Sequence, residues 1–199
     1  MFVKICGLTR TEDIDVCVDL RVDAIGLNLT QISPRKITTA TAFALATHIG
    51  KSARVVWVLD ASPPQELVDL LNEFPLSLVQ RCDTAWAWPD TLEAVRRIEV
   101  VRPSRPGDVD KAAQRTEPLL VCDAPGALGG TGEPADWALA RTLAARKSIL
   151  LAGGLNPSNV AEAVCVVQPF GVDVASGVEV SPGIKDHEKL RAFVRKVRS

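Results

Sequence analysis

The sequence lacks the features of secreted, membrane-spanning and nucleic-acid-binding proteins. Its five cysteines are scattered and form no C-x-x-C pair, which argues against a disulfide framework and against a zinc site. No signal-peptide pattern opens the sequence, and no uncharged apolar run approaches the ~18 residues of a membrane span. The 23 Lys and Arg residues balance 24 Asp and Glu residues without forming a basic cluster. We therefore expect a cytoplasmic protein with no membrane and no nucleic acid as partner.

Histidine is also scarce, since His48 and His187 are the only two and each lies in a helix-like segment. This argues against a Ser-His-Asp triad and against a histidine-based metal site, so we expect no metal. The turn "CGLTR" after the first apolar run is not a G-x-G-x-x-G phosphate turn. That absence disfavours an open doubly wound sheet, which is the main structural alternative to the fold predicted below.

Short apolar runs rich in β-branched residues recur along the chain, with helix-like segments between most of them. This alternation predicts a parallel sheet covered by helices. Eight strands in 199 residues fit a compact (β/α)₈ TIM barrel near the lower size limit of that fold. We predict a single barrel domain over residues 1–199. The predicted strands are 2–6, 24–29, 54–59, 76–80, 94–101, 119–124, 148–153 and 172–176.

The connection between the fourth and fifth predicted strands is short. Only "RCDTAWAWPDTLE" separates Gln80 from Ala94, which is too little for two loops and a full helix. We therefore expect the helix of the fourth β/α unit to be shortened to about one turn.

The first strand carries a charge and a thiol on the same face. Lys4 and Cys6 are two residues apart, and the predicted active site of such a barrel lies at the strand ends, where Cys6 stands. A lysine that points into a barrel needs a partner, and Asp173 in the last strand becomes its neighbour when the barrel closes. The cation and a following helix N-terminus would lower the pKa of Cys6 and make it a candidate base. The alternative is that Cys6 is only a small buried apolar residue.

A carboxyl group and two glycine-containing segments stand at the ends of later strands. Asp123 ends the sixth strand before the glycine-rich "CDAPGALGGTG", where desolvation would raise its pKa and suit it to general acid catalysis. "AGG" at 152–154 leads to a helix that Asn156 is placed to cap, and "ASG" at 175–177 ends the eighth strand. Backbone amides at these two loops, with a helix N-terminus, are typical of a barrel phosphate site. Arg35, in the loop after strand 2, is either a ligand for an anion or a solvated loop charge.

Five of these segments together resemble the phosphoribosylanthranilate isomerase family of tryptophan biosynthesis. They are "KICGLTR", "DAIGLNL…SPRKI", "VCDA…GGTGEPADW", "LAGGLNPSNV" and "GVDVASGVE…PGIKD", in the same order and with compatible spacing from Val3 to about Phe193. The resemblance implies a (β/α)₈ barrel that converts a phosphorylated aminoaldose to an aminoketose by an Amadori rearrangement. It implies no cofactor or metal.

The resemblance also implies roles for individual residues. Cys6 would be the general base and Asp123 the general acid. Arg35 would lie against the phosphorylated small-molecule substrate. The remaining substrate-binding residues would be Gly130 in the loop after strand 6, with Gly153, Gly154, Ser176 and Gly177 holding the phosphate.

One segment departs from the family pattern. The family usually has "VQLHG" after the fourth strand, whereas residues 79–83 here are "VQRCD". This leaves open a non-catalytic or altered-specificity paralogue that binds a phosphosugar. The related isomerase of histidine biosynthesis is a weaker alternative, because strand 1 ends here in Cys6 and no half-barrel duplication is visible. The sequence is compatible with a monomer or a weak homodimer.

Overall fold

A computed structural model describes residues 1–63, 65–74, 77–82, 86–88, 96–125 and 135–199. Eight parallel strands form a closed barrel in chain order, which confirms the predicted (β/α)₈ fold and excludes the open sheet. The strands are β1 (Phe2–Cys6), β2 (Ala24–Asn28), β3 (Arg54–Leu59), β4 (Leu78–Arg81), β5 (Arg96–Val101), β6 (Leu119–Cys122), β7 (Ser148–Leu151) and β8 (Gly171–Val174).

Helices cover the outside of this barrel. In the described residues they are α1 (Thr11–Asp19), α2 (Thr39–Ile49), α3 (Gln65–Glu73), α4 (Pro106–Ala113), α5 (Trp137–Ala144), α6 (Val160–Val167) and α7 (His187–Arg198). A short 3₁₀ helix (Ser176–Val178) and a small hairpin of β9 (Glu179–Ser181) and β10 (Ile184–Lys185) follow β8. None of the helices in the described residues is both long enough and apolar enough to cross a membrane.

The predicted shortening of the fourth helix concerns residues 83–95, of which the structure describes only 86–88. That prediction lies outside the described residues. The helix labelled α4 belongs to the fifth β/α unit, because it follows β5.

Alternation along the strands divides the interior into two apolar clusters. Val3 and Ile5 belong to the larger outer cluster, between the barrel and its helices, whereas Cys6 belongs to the inner one. Because successive strand side chains point to opposite faces, Lys4 shares the inner face with Cys6. The inner cluster is otherwise mostly small or β-branched, and it consists of Ala24, Val56, Val58, Ile98, Val100, Val121, Leu150 and Ala152.

Candidate active site

A cavity of about 670 Å³ lies at the carboxyl ends of the barrel strands. It brings together six of the predicted site residues: Cys6, Arg35, Asp123, Gly153, Gly154 and Ser176. Gly177 does not line the cavity, and Gly130 lies outside the described residues. The inner strand face and the strand ends thus place the predicted proton-transfer residues around a single space.

Cys6 reaches the cavity at the end of β1 with only 9% of its surface exposed. This burial raises the pKa of the Cys6 thiol, although the charge of Lys4 opposes the shift. The prediction that its surroundings lower the pKa is therefore wrong in its net direction. The reason is that the sequence reveals the nearby cation but not the depth of burial or the carboxylate that offsets that cation.

Lys4 pairs with Asp173, as predicted from the closure of the barrel. The two residues are opposite each other in the β1–β8 register. The Lys4 ammonium donates to both carboxylate oxygens of Asp173, at 2.9 and 2.8 Å, and it is fully buried. Burial alone would lower the pKa of Lys4, but the charges and hydrogen bonds of Asp173 and Cys6 together outweigh burial and raise it. Lys4 therefore stays charged beneath the cavity.

Asp123 follows β6, and 13% of its side chain is exposed. Desolvation raises its pKa, as predicted, against the opposing effects of the Ala124 amide and the Arg102 charge. The Ala124 N–H donates to Oδ1 at 2.9 Å, which fixes the carboxyl group. A carboxyl with a raised pKa that faces a cavity can hold and deliver a proton.

Arg35 is a buried member of an ion network rather than a solvated loop charge. Its Nε and Nη2 donate to the Glu179 carboxylate at 2.8 and 2.7 Å. Lys185 donates to the same carboxylate at 2.7 Å and to the carbonyl of Cys6 at 2.7 Å. This network ties the loop after β2 and the β9–β10 hairpin to the end of β1, and it fixes the position of Cys6.

The sequence reasoning did not identify Glu179 and Lys185 as parts of the site. Both lie in "VEVSPGIKD", which was recognised only as part of the family pattern. Burial alone would raise the pKa of Glu179, but the Arg35 hydrogen bonds and the Lys185 charge lower it. Neither residue ends a barrel strand, so strand-end reasoning could not find them.

The glycine loops after β7 and β8 are pressed together. Gly153 and Gly154 have φ values of +80° and +65°, a region that other residues rarely adopt. A Cβ atom at Gly177 would lie 1.8 Å from the carbonyl oxygen of Leu155. Only a residue without a side chain permits this approach, which brings the two loops to the same edge of the cavity.

The predicted helix start after β7 is three residues too early. Residues 157–159 form a turn instead of the first helical residues, and within it the Ser158 N–H donates to Asn156 Oδ1 at 2.8 Å. The Asn159 amide group in turn donates to the carbonyl of Gly154 at 2.9 Å. Asn156 therefore caps a turn, and α6 begins only at Val160.

Gln80 and Cys82 at the end of β4 line the cavity, whereas Arg81 does not. Arg81 instead donates to the buried carboxylate of Glu99 at 2.9 Å. Arg81 and Cys82 are the two residues in the described part of "VQRCD" that differ from the family pattern, and of these two Cys82 is the one that lines the cavity. The Cys122 side chain packs in the outer cluster, on the face of β6 that points away from the cavity.

Arg102 lines the cavity, and the sequence analysis did not identify it as a site residue. It follows β5, and its Nε lies 3.9 Å from Oδ2 of Asp123. The strand alternation of Ile98, Val100 and Arg102 places all three on the inner face and could have revealed it. Across the described ranges, no three His, Cys, Asp or Glu side chains are grouped to hold a metal ion.

Comparison with known proteins gives the same family at the level of sequence and of structure. A family model described as N-(5'phosphoribosyl)anthranilate (PRA) isomerase matches residues 3–196. The N-(5'-phosphoribosyl)anthranilate isomerase of Chlorobium luteolum is 37% identical over 99% of this chain and 97% of its own length. The crystal structure of phosphoribosyl anthranilate isomerase from Thermus thermophilus has a TM-score of 0.83 and 33% identity, and covers 100% of this chain and 98% of that one.

A second solved structure includes a bound ligand. It is a phosphoribosyl anthranilate isomerase in complex with reduced 1-(o-carboxyphenylamino)-1-deoxyribulose 5-phosphate. Its TM-score is 0.82 at 30% identity, over 100% of this chain and 98% of that one. On the agreement of barrel, motifs and near-complete coverage, this chain belongs to the N-(5'-phosphoribosyl)anthranilate isomerase family.

Proposed function

We propose that this chain isomerises N-(5'-phosphoribosyl)anthranilate to 1-(2-carboxyphenylamino)-1-deoxyribulose 5-phosphate, an Amadori rearrangement in tryptophan biosynthesis. Family membership over residues 3–196 supports the reaction class. A relative of known structure binds a reduced form of this product. The observation that carries the proposal here is that Cys6 and Asp123 line the same cavity at the strand ends.

In the proposed reaction, Asp123 gives its proton to the furanose ring oxygen. The C1–O bond breaks, and the nitrogen lone pair forms a C1=N iminium. The Cys6 thiolate then removes the proton from C2, and the electrons of that C–H bond form C1=C2 while the iminium electrons return to nitrogen. The resulting enolamine tautomerises to the ketone. Each proton-transfer group contributes about 10²–10⁴-fold to such a rate.

The electrostatics assign protonation states to the two groups. Burial raises the pKa of Asp123, which favours the acid form that ring opening needs. Burial also raises the pKa of Cys6, so its thiolate is a minority species, and the charges of Lys4 and Lys185 counteract the shift. The proposed steps use only side chains and backbone amides of this chain.

We assign phosphate binding to the two glycine loops. Gly153, Gly154 and Ser176 line the cavity, and Gly177 lets the loops approach each other. In the described residues, the Gly153 and Gly154 amides donate to no backbone carbonyl and are available for an anion. Gly130 is proposed as a further substrate contact on the family pattern alone.

We further propose that residues 1–199 act as one barrel domain, as a monomer or a weak homodimer in the cytoplasm. The five cysteines are all free thiols, as expected in a reducing compartment.

The test of the proposed function is turnover of freshly prepared substrate. Anthranilate and ribose 5-phosphate form the adduct in solution, and its fluorescence is lost as the product forms. We expect the protein to accelerate this loss far beyond the spontaneous rate and to restore growth of a tryptophan-requiring strain that lacks the step. Binding without acceleration would contradict the proposal and favour a phosphosugar-binding paralogue.

A further inference from the structure

Arg102 differs from the other arginines of the cavity because its guanidinium has no hydrogen-bond partner in the described structure. Its Nε is buried and unsatisfied. Its nearest carboxylate, Asp123, lies 3.9 Å away, which is beyond hydrogen-bond distance. The Arg102 side chain is on the inner face of the barrel wall and lines the cavity. A buried donor without a partner is costly, so Arg102 has hydrogen-bonding capacity that a bound anion would satisfy.

The other two arginines that line the cavity are already committed. Arg35 places Nε and Nη2 on the Glu179 carboxylate, which is itself buried. Arg115 donates to Glu99 from the outer side of the barrel. Among the described arginines that line the cavity, Arg102 is therefore the one whose guanidinium group can form two parallel hydrogen bonds with an incoming anion.

The proposed substrate carries two anionic groups at opposite ends. The phosphate is assigned to the loops after β7 and β8, and in a closed eight-stranded barrel the strands opposite them are β3 and β4, with β5 and β6 completing the wall between β4 and β7. Because the phosphate is on C5 and the aryl amine on C1 of the sugar, the aromatic ring with its ortho carboxylate lies on the far side of the sugar from the phosphate. Arg102 follows β5, two strands from β7, and its guanidinium lies beside Asp123, which is assigned to the sugar oxygen a few bonds from the carboxylate.

We propose that Arg102 binds the carboxylate of the substrate's aromatic ring and so selects ribosylamine 5-phosphates that carry an ortho-carboxyaryl group. The inference rests on the proposed function. A fork-shaped guanidinium matches a carboxylate with two parallel hydrogen bonds, whereas an uncharged aryl ring would leave it unsatisfied. Arg102 is in this account a specificity-determining residue rather than a proton-transfer group.

The position of Arg102 also couples carboxylate binding to the acid. The Arg102 charge opposes the desolvation that raises the pKa of Asp123. A substrate carboxylate on Arg102 offsets that charge, so Asp123 holds its proton better when substrate is bound. The acidic limb of the pH profile should therefore lie at higher pH for kcat than for kcat/KM, and Arg102→Met should shrink this difference.

The experiment compares two stable probes by equilibrium binding. One is reduced 1-(o-carboxyphenylamino)-1-deoxyribulose 5-phosphate, and the other is its phenylamino counterpart without the carboxylate. Arg102→Met should weaken binding of the first roughly 10- to 100-fold, as for loss of a charged hydrogen-bonded pair, and should leave the second unchanged. Arg102→Lys should recover part of the loss, because it keeps the charge but not the fork.

Arg105→Gln is the matched control. Arg105 is three residues from Arg102 and carries the same charge, but its side chain is 74% exposed and does not line the cavity. The substitution should affect neither probe. Equal affinity of wild type and Arg102→Met for the carboxylated probe, or equal losses for both probes, would overturn the inference. A wild-type protein that binds the carboxylated probe but does not turn over the anthranilate adduct would instead overturn the proposed function. The comparison of the two probes would still decide the role of Arg102.

Discussion

Cys6 lies in an interior that opposes the thiolate required of the proposed base. Its burial raises the pKa above the ordinary value of 9.0, and burial raises that of Asp123 above 3.8. The reactive pair, a thiolate with a protonated carboxyl, is therefore the minor form of the singly protonated site. Lys4 and Lys185 increase its population, which gives a catalytic reason for two buried lysines near one thiol.

A pH profile tests this protonation pattern. For wild type, kcat/KM should rise through the raised pKa of Asp123, stay level near neutral pH and fall above the raised pKa of Cys6. Asp123→Asn should lower kcat by about 10²–10⁴-fold and abolish the acidic limb, so that the residual rate rises only through the alkaline range with the thiol. An unchanged acidic limb in Asp123→Asn would show that another group sets it.

At the residue scale, the sequence predicted which residues line the cavity better than it predicted their burial and pKa shifts. Strand-end reasoning found Cys6 and Asp123, and barrel closure found the partner of Lys4. The direction of the Cys6 pKa was wrong, because it depends on how deeply the whole barrel buries the thiol. Arg102 was not predicted because an arginine that follows an apolar strand is equally typical of a solvated loop.

The two loops that form the proposed phosphate site depend on contacts between elements. Gly177 lies against the carbonyl of Leu155, so the 3₁₀ helix after β8 and the loop after β7 are positioned by each other. The sequence predicted that both loops contain glycine for an anion. It could not predict that α6 starts at Val160, because the side chains of Asn156 and Asn159 stabilise a turn that competes with the helix.

Gly177→Ala tests the contact between these loops. The added methyl group would meet a backbone oxygen at 1.8 Å, so the loops must separate. We expect KM for the phosphorylated substrate to rise at least about tenfold and the free energy of unfolding to fall by about 1–3 kcal/mol. Steady-state kinetics and urea unfolding measure the two effects.

Gly107→Ala is the matched control for this substitution. Gly107 lies in α4, and a Cβ atom there would meet nothing within 4 Å. It should leave KM unchanged and stabilise the protein by about 0.5–1 kcal/mol, as expected for Gly→Ala in a helix. A Gly177→Ala protein with the kinetics of this control would contradict the assignment of the loops to phosphate.

At the scale of the whole molecule, the Lys4–Asp173 pair joins the first and last strands. Lys4 is fully buried and bonded at 2.8 and 2.9 Å, in register with Asp173. Removing one partner of a buried ion pair leaves an uncompensated charge, which costs about 3–5 kcal/mol. The closed barrel itself was predictable, because its eight near-continuous apolar strands and intervening helices leave few other topologies.

Lys4→Met tests this closing contact by urea unfolding. It should lower the free energy of unfolding by about 3–5 kcal/mol, whereas Lys4→Met combined with Asp173→Leu should recover most of that loss, since no charge is then left unpaired. A double variant no more stable than Lys4→Met would show that the pair stabilises the barrel by more than mutual neutralisation.

The most direct test of the account is kcat for Cys6→Ala beside Cys122→Ala. Both substitutions remove a buried thiol, but Cys122 packs in the outer cluster, away from the cavity. If the Cys6 thiolate removes the C2 proton, Cys6→Ala should lose about 10²–10⁴-fold in kcat with little change in affinity for the reduced product, while Cys122→Ala keeps kcat near wild type. Near-wild-type kcat in a folded Cys6→Ala protein would contradict the account.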